Sequence, residues 1–278
     1  MRILPPILVP ASDPQGRGNG NRSYEPALFV PTQLAGEYRL SASVLFFGAP
    51  DGTARLLDFD HQFYAIDHIG AELLRATLED GTAAAVSAIS SSYGVERERV
   101  CADLEDLLTI MRSKGLLITR EHENPKRTRS RALQILFAVA GLKLAGWGVS
   151  PLRFKARSLL LAARLSFRLL GWRQTIDLWD QRIPLASDLH TAGNYQETVQ
   201  RVEAAVRSAT ARALFGATCK ESALSAWALC RALGVPATLV VGVSLYPLTS
   251  HCWVEVGSSI LTDFRDRCEL FTPVLHYG

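Results

Sequence analysis

The sequence predicts an α+β protein in two domains, and three observations carry that prediction. Between Tyr38 and Ile66 lie three strand-like runs, "YRLSASVLFF", "TARLLDFD" and "HQFYAI", and three helical patterns follow, each stopped by a glycine. A charged, proline-containing stretch, "HENPKRTRSR", then interrupts the hydrophobic pattern. Beyond it, the last sixty residues pass from a helix opening at Cys219 to several β-rich runs. Strands followed by helices, twice over, are the pattern of segregated α+β layers rather than of alternating βα units.

Each element has a local reason. Residues 1–35 are rich in Pro, Gly, Asn and Ser without periodicity, and are expected to be a disordered N-terminal extension. Residues 36–121 form the first domain. The turn "GAPDG" separates its first two strands, and its helices "IGAELLRATLEDG", "TAAAVSAISSSYG" and "ERVCADLEDLLTIMRSKG" end at Gly81, Gly94 and Gly115. Residues 122–131 are the linker and 132–278 the second domain. There, two basic, largely apolar helices break around Pro151, and "TAGNYQETVQRVEAAVRSATARALFG" reads as a surface helix. The helix from Cys219 to Leu233 is stopped by Gly234 and Pro236, and "ATLVVGVSLY", "HCWVEV" and "SSILTDF" follow as strands.

Charge and cysteine usage exclude several function classes. Residues 36–121 carry fourteen acids against eight bases, whereas 126–182 carry twelve bases against only Asp177 and Asp180. A net-acidic first domain does not suit duplex DNA, so no nucleic-acid partner is expected. The five cysteines form no CxxC pair, and "MRILPPILVPA" makes no convincing signal peptide, which points to a reducing cytoplasm. Lys143, Arg164 and Arg168 interrupt the longest apolar segments below the roughly 18 residues of a spanning helix. The basic helices could dock a partner, rest on an anionic membrane surface, or only cover the core.

Cys219 at the first turn of its helix is the candidate nucleophile. Unpaired N–H groups and the helix dipole favour a thiolate there, and the thiolate is the attacking species. His251, at the mouth of a strand, would act as general base and then general acid, and Asp263 would orient it. With a three-residue loop, Gly257–Ser259, His251 and Asp263 share one face of the hairpin; a two-residue loop is expected to place them on opposite faces. Cys101, Cys230, Cys252 and Cys268 are expected to be small core residues. The spacings match no common zinc pattern, and no metal or organic cofactor is expected. Trp227 and Trp253 are expected to pack.

The run "TCKESALSAWALCRALGVPATLVVGV", followed by "HCWVEVGSSILTD", resembles the leader-peptidase B proteins of lasso-peptide biosynthesis, which are transglutaminase-like, papain-related cysteine hydrolases. Cys219, His251 and Asp263 fall on that family's nucleophile, base and orienting acid. The match departs at Cys252, where Ala is usual, and at Lys220–Glu221. The front half is similar to the family's other module, a small winged-helix-like domain akin to the pyrroloquinoline-quinone chaperone. This resemblance implies that a leader peptide adds as a strand to the edge formed by His61, Gln62, Phe63, Tyr64, Ala65 and Ile66. It also implies packing of the leader against the last helix, with Leu104, Leu107, Leu108 and Met111 as groove candidates. The implied activity is cysteine endopeptidase removal of the leader of a ribosomal precursor, with macrolactam closure by a separate ATP-dependent cyclase. No "GxxxxGK[ST]" loop is present to serve that second step here. The alternatives are acyl transfer to an amine by the same three side chains, and a peptide-binding scaffold with an inert cysteine.

Overall fold

The structure is a computed structural model. It describes residues 37–41, 43–49, 51–59, 63–119, 151–185, 195–245 and 248–278, with the backbone of 9–10 and 27–28. Two compact units divide between Pro125 and Lys126, with residues 245–248 grouped with the first. The basic helix expected over 132–148 lies outside the described residues, as do His61 and Gln62.

The first unit is built on antiparallel strands β1 (Val9–Pro10), β2 (Ala27–Leu28), β4 (Val44–Gly48), β5 (Ala54–Asp58) and β6 (Phe63–Ile66), in the order β1-β6-β5-β4-β2. The run "YRLSASVLFF" is two strands rather than one. Its first part, β3 (Tyr38–Leu40), pairs instead with β7 (Leu117–Thr119). Two pieces of the segment expected to be without structure also pair: Val9↔Ala65 and Pro10↔Tyr64 on one sheet edge, Ala27↔Gly48 and Leu28↔Phe47 on the other.

Helices α1 (His68–Asp80), α2 (Thr82–Tyr93) and α3 (Arg97–Ser113) follow. Asp67 caps α1 by accepting from Gly70 N–H at 2.7 Å. At the end of α3, Gly115 takes φ 73°; Leu116 N–H reaches Met111 C=O and Gly115 N–H reaches Arg112 C=O, the paired bonds of a Schellman stop. Phe46, Leu56, Tyr64 and Ile66 meet Leu73, Leu74, Leu104, Leu107, Leu108 and Met111 in one core.

The second unit begins with α4 (Leu152–Arg182), which bends at Gly171, where φ is 73° and ψ is -176°, outside the helical region. The two arms fold on each other: Trp179 Nε1 donates to Ser166 Oγ at 3.2 Å, and Phe167 stacks on Trp172. α5 (Tyr195–Ala211) packs beside α4 and α6 (Cys219–Ala232). Every residue of α6 from Glu221 to Cys230 is buried, as expected of a helix apolar or small on all sides. A second Schellman stop at Gly234, with Val235 N–H on Cys230 C=O, turns the chain into the sheet.

That sheet has the order β10-β9-β8-β11, made from β8 (Thr238–Leu245), β9 (Leu248–Val256), β10 (Ser259–Leu261) and β11 (Thr272–Tyr277), with β10 antiparallel to β9 and β11 antiparallel to β8. β11 and the short α7 (Arg265–Cys268) were not anticipated from the sequence, because "TPVLHY" carries a proline and a histidine where a strand pattern wants apolar residues. Gly242 in β8 has a packing reason. A Cβ there would lie 2.6 Å from the Trp253 ring and 2.8 Å from Phe271 Cβ.

Candidate active site

The local sequence around Cys219 fixes where its sulfur sits. Thr218 is the N-cap of α6, and Glu221 at the third helical position accepts from Thr218 N–H at 2.8 Å, closing a capping box. Cys219 is therefore the first residue of the helix, with its backbone N–H among the groups that no helical carbonyl satisfies. Glu221 is only 4% exposed, and Arg164 from α4 approaches its Oε1 at 3.6 Å. The same guanidinium lies over the Phe215 ring and donates to Gly216 C=O at 3.3 Å. Arg164, which the sequence offered only as an interruption of an apolar helix, thus clamps the loop that delivers Cys219. Arg164→Met is expected to lower unfolding stability by about 1–3 kcal/mol by stranding a buried carboxylate. Adding Glu221→Gln should recover part of that loss in denaturant titrations; simple additivity of the two changes would exclude the clamp.

His251 is 4% exposed and lies in β9, two residues before Trp253 on the same face of the strand. Its ring lies 5.1 Å from the Phe271 ring and 6.0 Å from that of Trp253, an apolar wall on both sides. Nε2 approaches Asp263 Oδ2 at 2.6 Å, with the N–H direction off the oxygen, so the contact is an ion pair more than a linear hydrogen bond. The ring also hydrogen-bonds to Cys219. Asp263 is itself fixed by two further contacts: Oδ1 accepts from Phe264 N–H at 2.8 Å, and Arg267 Nη1 lies 3.3 Å from Oδ2.

The three side chains converge by a route different from the one expected. The hairpin uses a two-residue loop, with Val256 opposite Ser259, Glu255 opposite Ile260 and Val254 opposite Leu261. Gly257, at φ 56°, takes the first loop position. Continued regularly, this register would send Asp263 to the face away from His251. The strand does not continue. β10 ends at Leu261, and Thr262 takes φ 72°, making it the only non-glycine residue with positive φ among those described. A β-branched residue in this region costs about 1–3 kcal/mol. Its effect is to re-aim the next side chain, Asp263, onto the histidine. The spacing thus pointed to the right carboxylate through a wrong loop.

The cysteine has a second partner. Cys252, expected to be core, is buried, and its thiol donates to the Cys219 sulfur. This bond is the largest influence on Cys219; with the His251 contact and the Cys252 backbone N–H it outweighs burial and lowers the Cys219 pKa from 9.0 to about 4. Burial pulls His251 toward the neutral form, yet the Cys219 and Asp263 charges prevail and raise its pKa above 6.5. Thiolate and imidazolium thus coexist at neutral pH. Alkylation of Cys219 by iodoacetamide, followed by mass spectrometry, is expected to rise through about pH 4 and stay level to neutrality. In His251→Ala that rise should move upward; a wild-type rise confined to pH above 8 would rule out the ion pair.

The remaining sequence expectations divide. Cys230 and Cys268 are core thiols, pushed up to about 12 and about 11, first by burial. Cys101 is exposed on α3 and is not a core residue. Trp227 and Trp253 are buried packing residues. On β6, Tyr64 and Ile66 point into the core, while Phe63 and Ala65 are half-buried on the other face. Leu104, Leu107, Leu108 and Met111, offered as groove residues, are 0–5% exposed and seal the first unit's core. Amphipathic spacing identifies the apolar side of a helix; it does not tell a groove from a core. Beside β6, the part of α3 that stays accessible is its end, where Lys114 Nζ lies 5.3 Å over the Tyr64 ring and half-buried Ile110 sits one turn earlier. Among the described residues no cluster of three potential metal ligands forms, and no helix is long and apolar enough to cross a membrane.

Comparison with known families agrees with this division of the chain. Residues 54–117 match the profile of coenzyme PQQ synthesis protein D (PqqD), and residues 158–276 match the transglutaminase-like superfamily. The two matches, in this order, support a lasso-peptide B protein fusion. The PqqD match implies binding of a ribosomal precursor peptide, and the transglutaminase-like match implies papain-like hydrolase or transferase chemistry. No curated protein and no solved structure matches the chain.

Proposed function

We propose that this chain is a lasso-peptide B protein, a cytoplasmic cysteine endopeptidase that binds the leader of a lasso-peptide precursor and cuts it off, before a separate ATP-dependent cyclase closes the macrolactam. The observation that carries the proposal is the contact chain Cys219–His251–Asp263, with the carboxylate 2.6 Å from Nε2 of the ring and the thiolate hydrogen-bonded to the same imidazole. The thiolate attacks the scissile carbonyl, and the Cys219 N–H at the head of α6 faces the developing oxyanion. Imidazolium passes its proton to the leaving amine as the C–N bond breaks. Neutral His251 then takes a proton from water, whose oxygen attacks the thioester and releases the leader acid. Asp263 keeps the ring oriented and stabilises its charged form. Mass spectrometry of candidate precursor peptides incubated with the protein tests this. A leader fragment and a core peptide with a free N-terminus are expected, and an acyl or isopeptide adduct would instead establish transfer to an amine.

Leader capture is assigned to β6, by strand addition along Phe63–Ile66 with the end of α3 alongside. The backbone of Val9–Pro10 occupies that edge, so an incoming leader strand would replace it. Removal of residues 1–20 is accordingly expected to tighten leader binding severalfold, because a competing occupied state is removed. Calorimetric titration of the leader into both forms checks this, and weaker binding by the shortened chain would contradict it.

A further inference from the structure

The mechanism leaves one buried nucleophile unused. Cys252 is sealed from solvent, yet its thiol hydrogen-bonds to the sulfur of Cys219, which is partly exposed. The two come from different elements, Cys219 from the head of α6 and Cys252 from β9, next to His251. A reactive, solvent-reachable sulfur thus has a second sulfur in hydrogen-bond contact with it and an imidazole bonded to the first. This is the arrangement in which oxidation of the first sulfur is captured by the second.

We propose that Cys219 and Cys252 form a reversible redox pair: peroxide oxidises Cys219 and Cys252 resolves the product as an intramolecular disulfide, which switches the site off and protects it. In the first step the Cys219 thiolate attacks one oxygen of hydrogen peroxide. An S–O bond forms, the O–O bond breaks, and the departing hydroxide takes the His251 proton as water. Cys219 is now a sulfenic acid, oxidised by two electrons, and the peroxide has been reduced. In the second step the sulfur of Cys252 attacks that of Cys219 as its S–H proton passes to the departing oxygen. The S–O bond breaks, and the hydroxide leaves as water carrying the Cys252 proton. The overall change is two thiols and one peroxide to one disulfide and two waters. Thiol reductant reverses it by exchange at the exposed sulfur.

The state of Cys252 suits this order of events. While Cys219 is a thiolate, the bond it accepts and the burial of Cys252 keep the second thiol protonated and inert. Once Cys219 becomes an uncharged sulfenic acid, the first of those restraints is gone. Cys252 therefore becomes nucleophilic only when there is something to resolve. Neither remaining core cysteine competes, since Cys219 makes its contacts with Cys252 and His251 and not with Cys230 or Cys268.

The chemistry stands independently of which peptide is cut; only its meaning as an off-switch depends on Cys219 being the nucleophile. The test therefore reads masses rather than turnover. The whole protein is exposed to hydrogen peroxide, its free thiols are blocked, and it is digested with trypsin without reduction. Cys219 falls in the peptide 213–220 and Cys252 in 232–265, each as the sole cysteine. Wild type is expected to yield the two joined, at the sum of their masses less two hydrogens, and to lose that species on dithiothreitol treatment. Cys252→Ala is expected to pass instead to the sulfinic and sulfonic forms of Cys219, which dithiothreitol does not reverse. Alkylation of Cys219 in the untreated variant verifies that it is folded and reactive. Absence of the joined peptide, with equal over-oxidation of Cys219 in wild type and variant, would overturn the proposal.

Discussion

Replacement of Cys219 by alanine is expected to lower precursor cleavage by at least about 10⁴-fold, because no other group can take over the covalent step. The nearest sulfur, Cys252, is buried with its pKa raised well above 9.0, so it stays protonated and cannot substitute. Leader binding should be untouched, since it is assigned to β6 in the other unit. This split distinguishes a nucleophile from a structural cysteine, whose loss would weaken both. Cys219→Ser should be nearly as inactive: a hydroxyl is not ionised at neutral pH by contacts that suffice for a thiol. Turnover of Cys219→Ala within tenfold of wild type, at equal peptide binding, would place the nucleophile elsewhere.

The second large effect is expected at Asp263. Asp263→Ala removes the carboxylate 2.6 Å from His251 Nε2 and leaves a buried imidazole without its anion. Cleavage should fall about 10²–10⁴-fold. The pH profile should change in a specific direction. In the wild type the acid limb follows Cys219, near 4, and the alkaline limb follows His251, above 6.5. Asp263 is one of the groups raising His251, so its removal should bring the alkaline limb down and narrow the bell. Asp263→Asn keeps a polar orienting group without the charge and should fall between. Arg267, 61% exposed where it meets Asp263, should matter little: an exposed partner is screened by water. An alkaline limb unmoved in Asp263→Ala would mean that the carboxylate does not act through the histidine.

The helix that begins at Cys219, its glycine stop, and the β-rich runs carrying His251 and Asp263 were legible in the sequence. Caps, glycine stops and hydrophobic alternation are local: each depends on residues within a turn or two of itself, so the chain states them wherever it happens to fold. Division into two domains, and the order in which they come, were legible for the same reason. What only the tertiary structure decided is what those elements bring together. A positive φ at Thr262 redirects Asp263 after a loop one residue shorter than expected. Arg164 finds Glu221 from fifty-seven positions away, and Cys252 meets Cys219 across thirty-three. Leu104 and Met111 turn inward to a core rather than outward to a groove. Such contacts depend on how whole elements pack, and packing is a property of every side chain in the layer at once, which no short stretch of sequence contains.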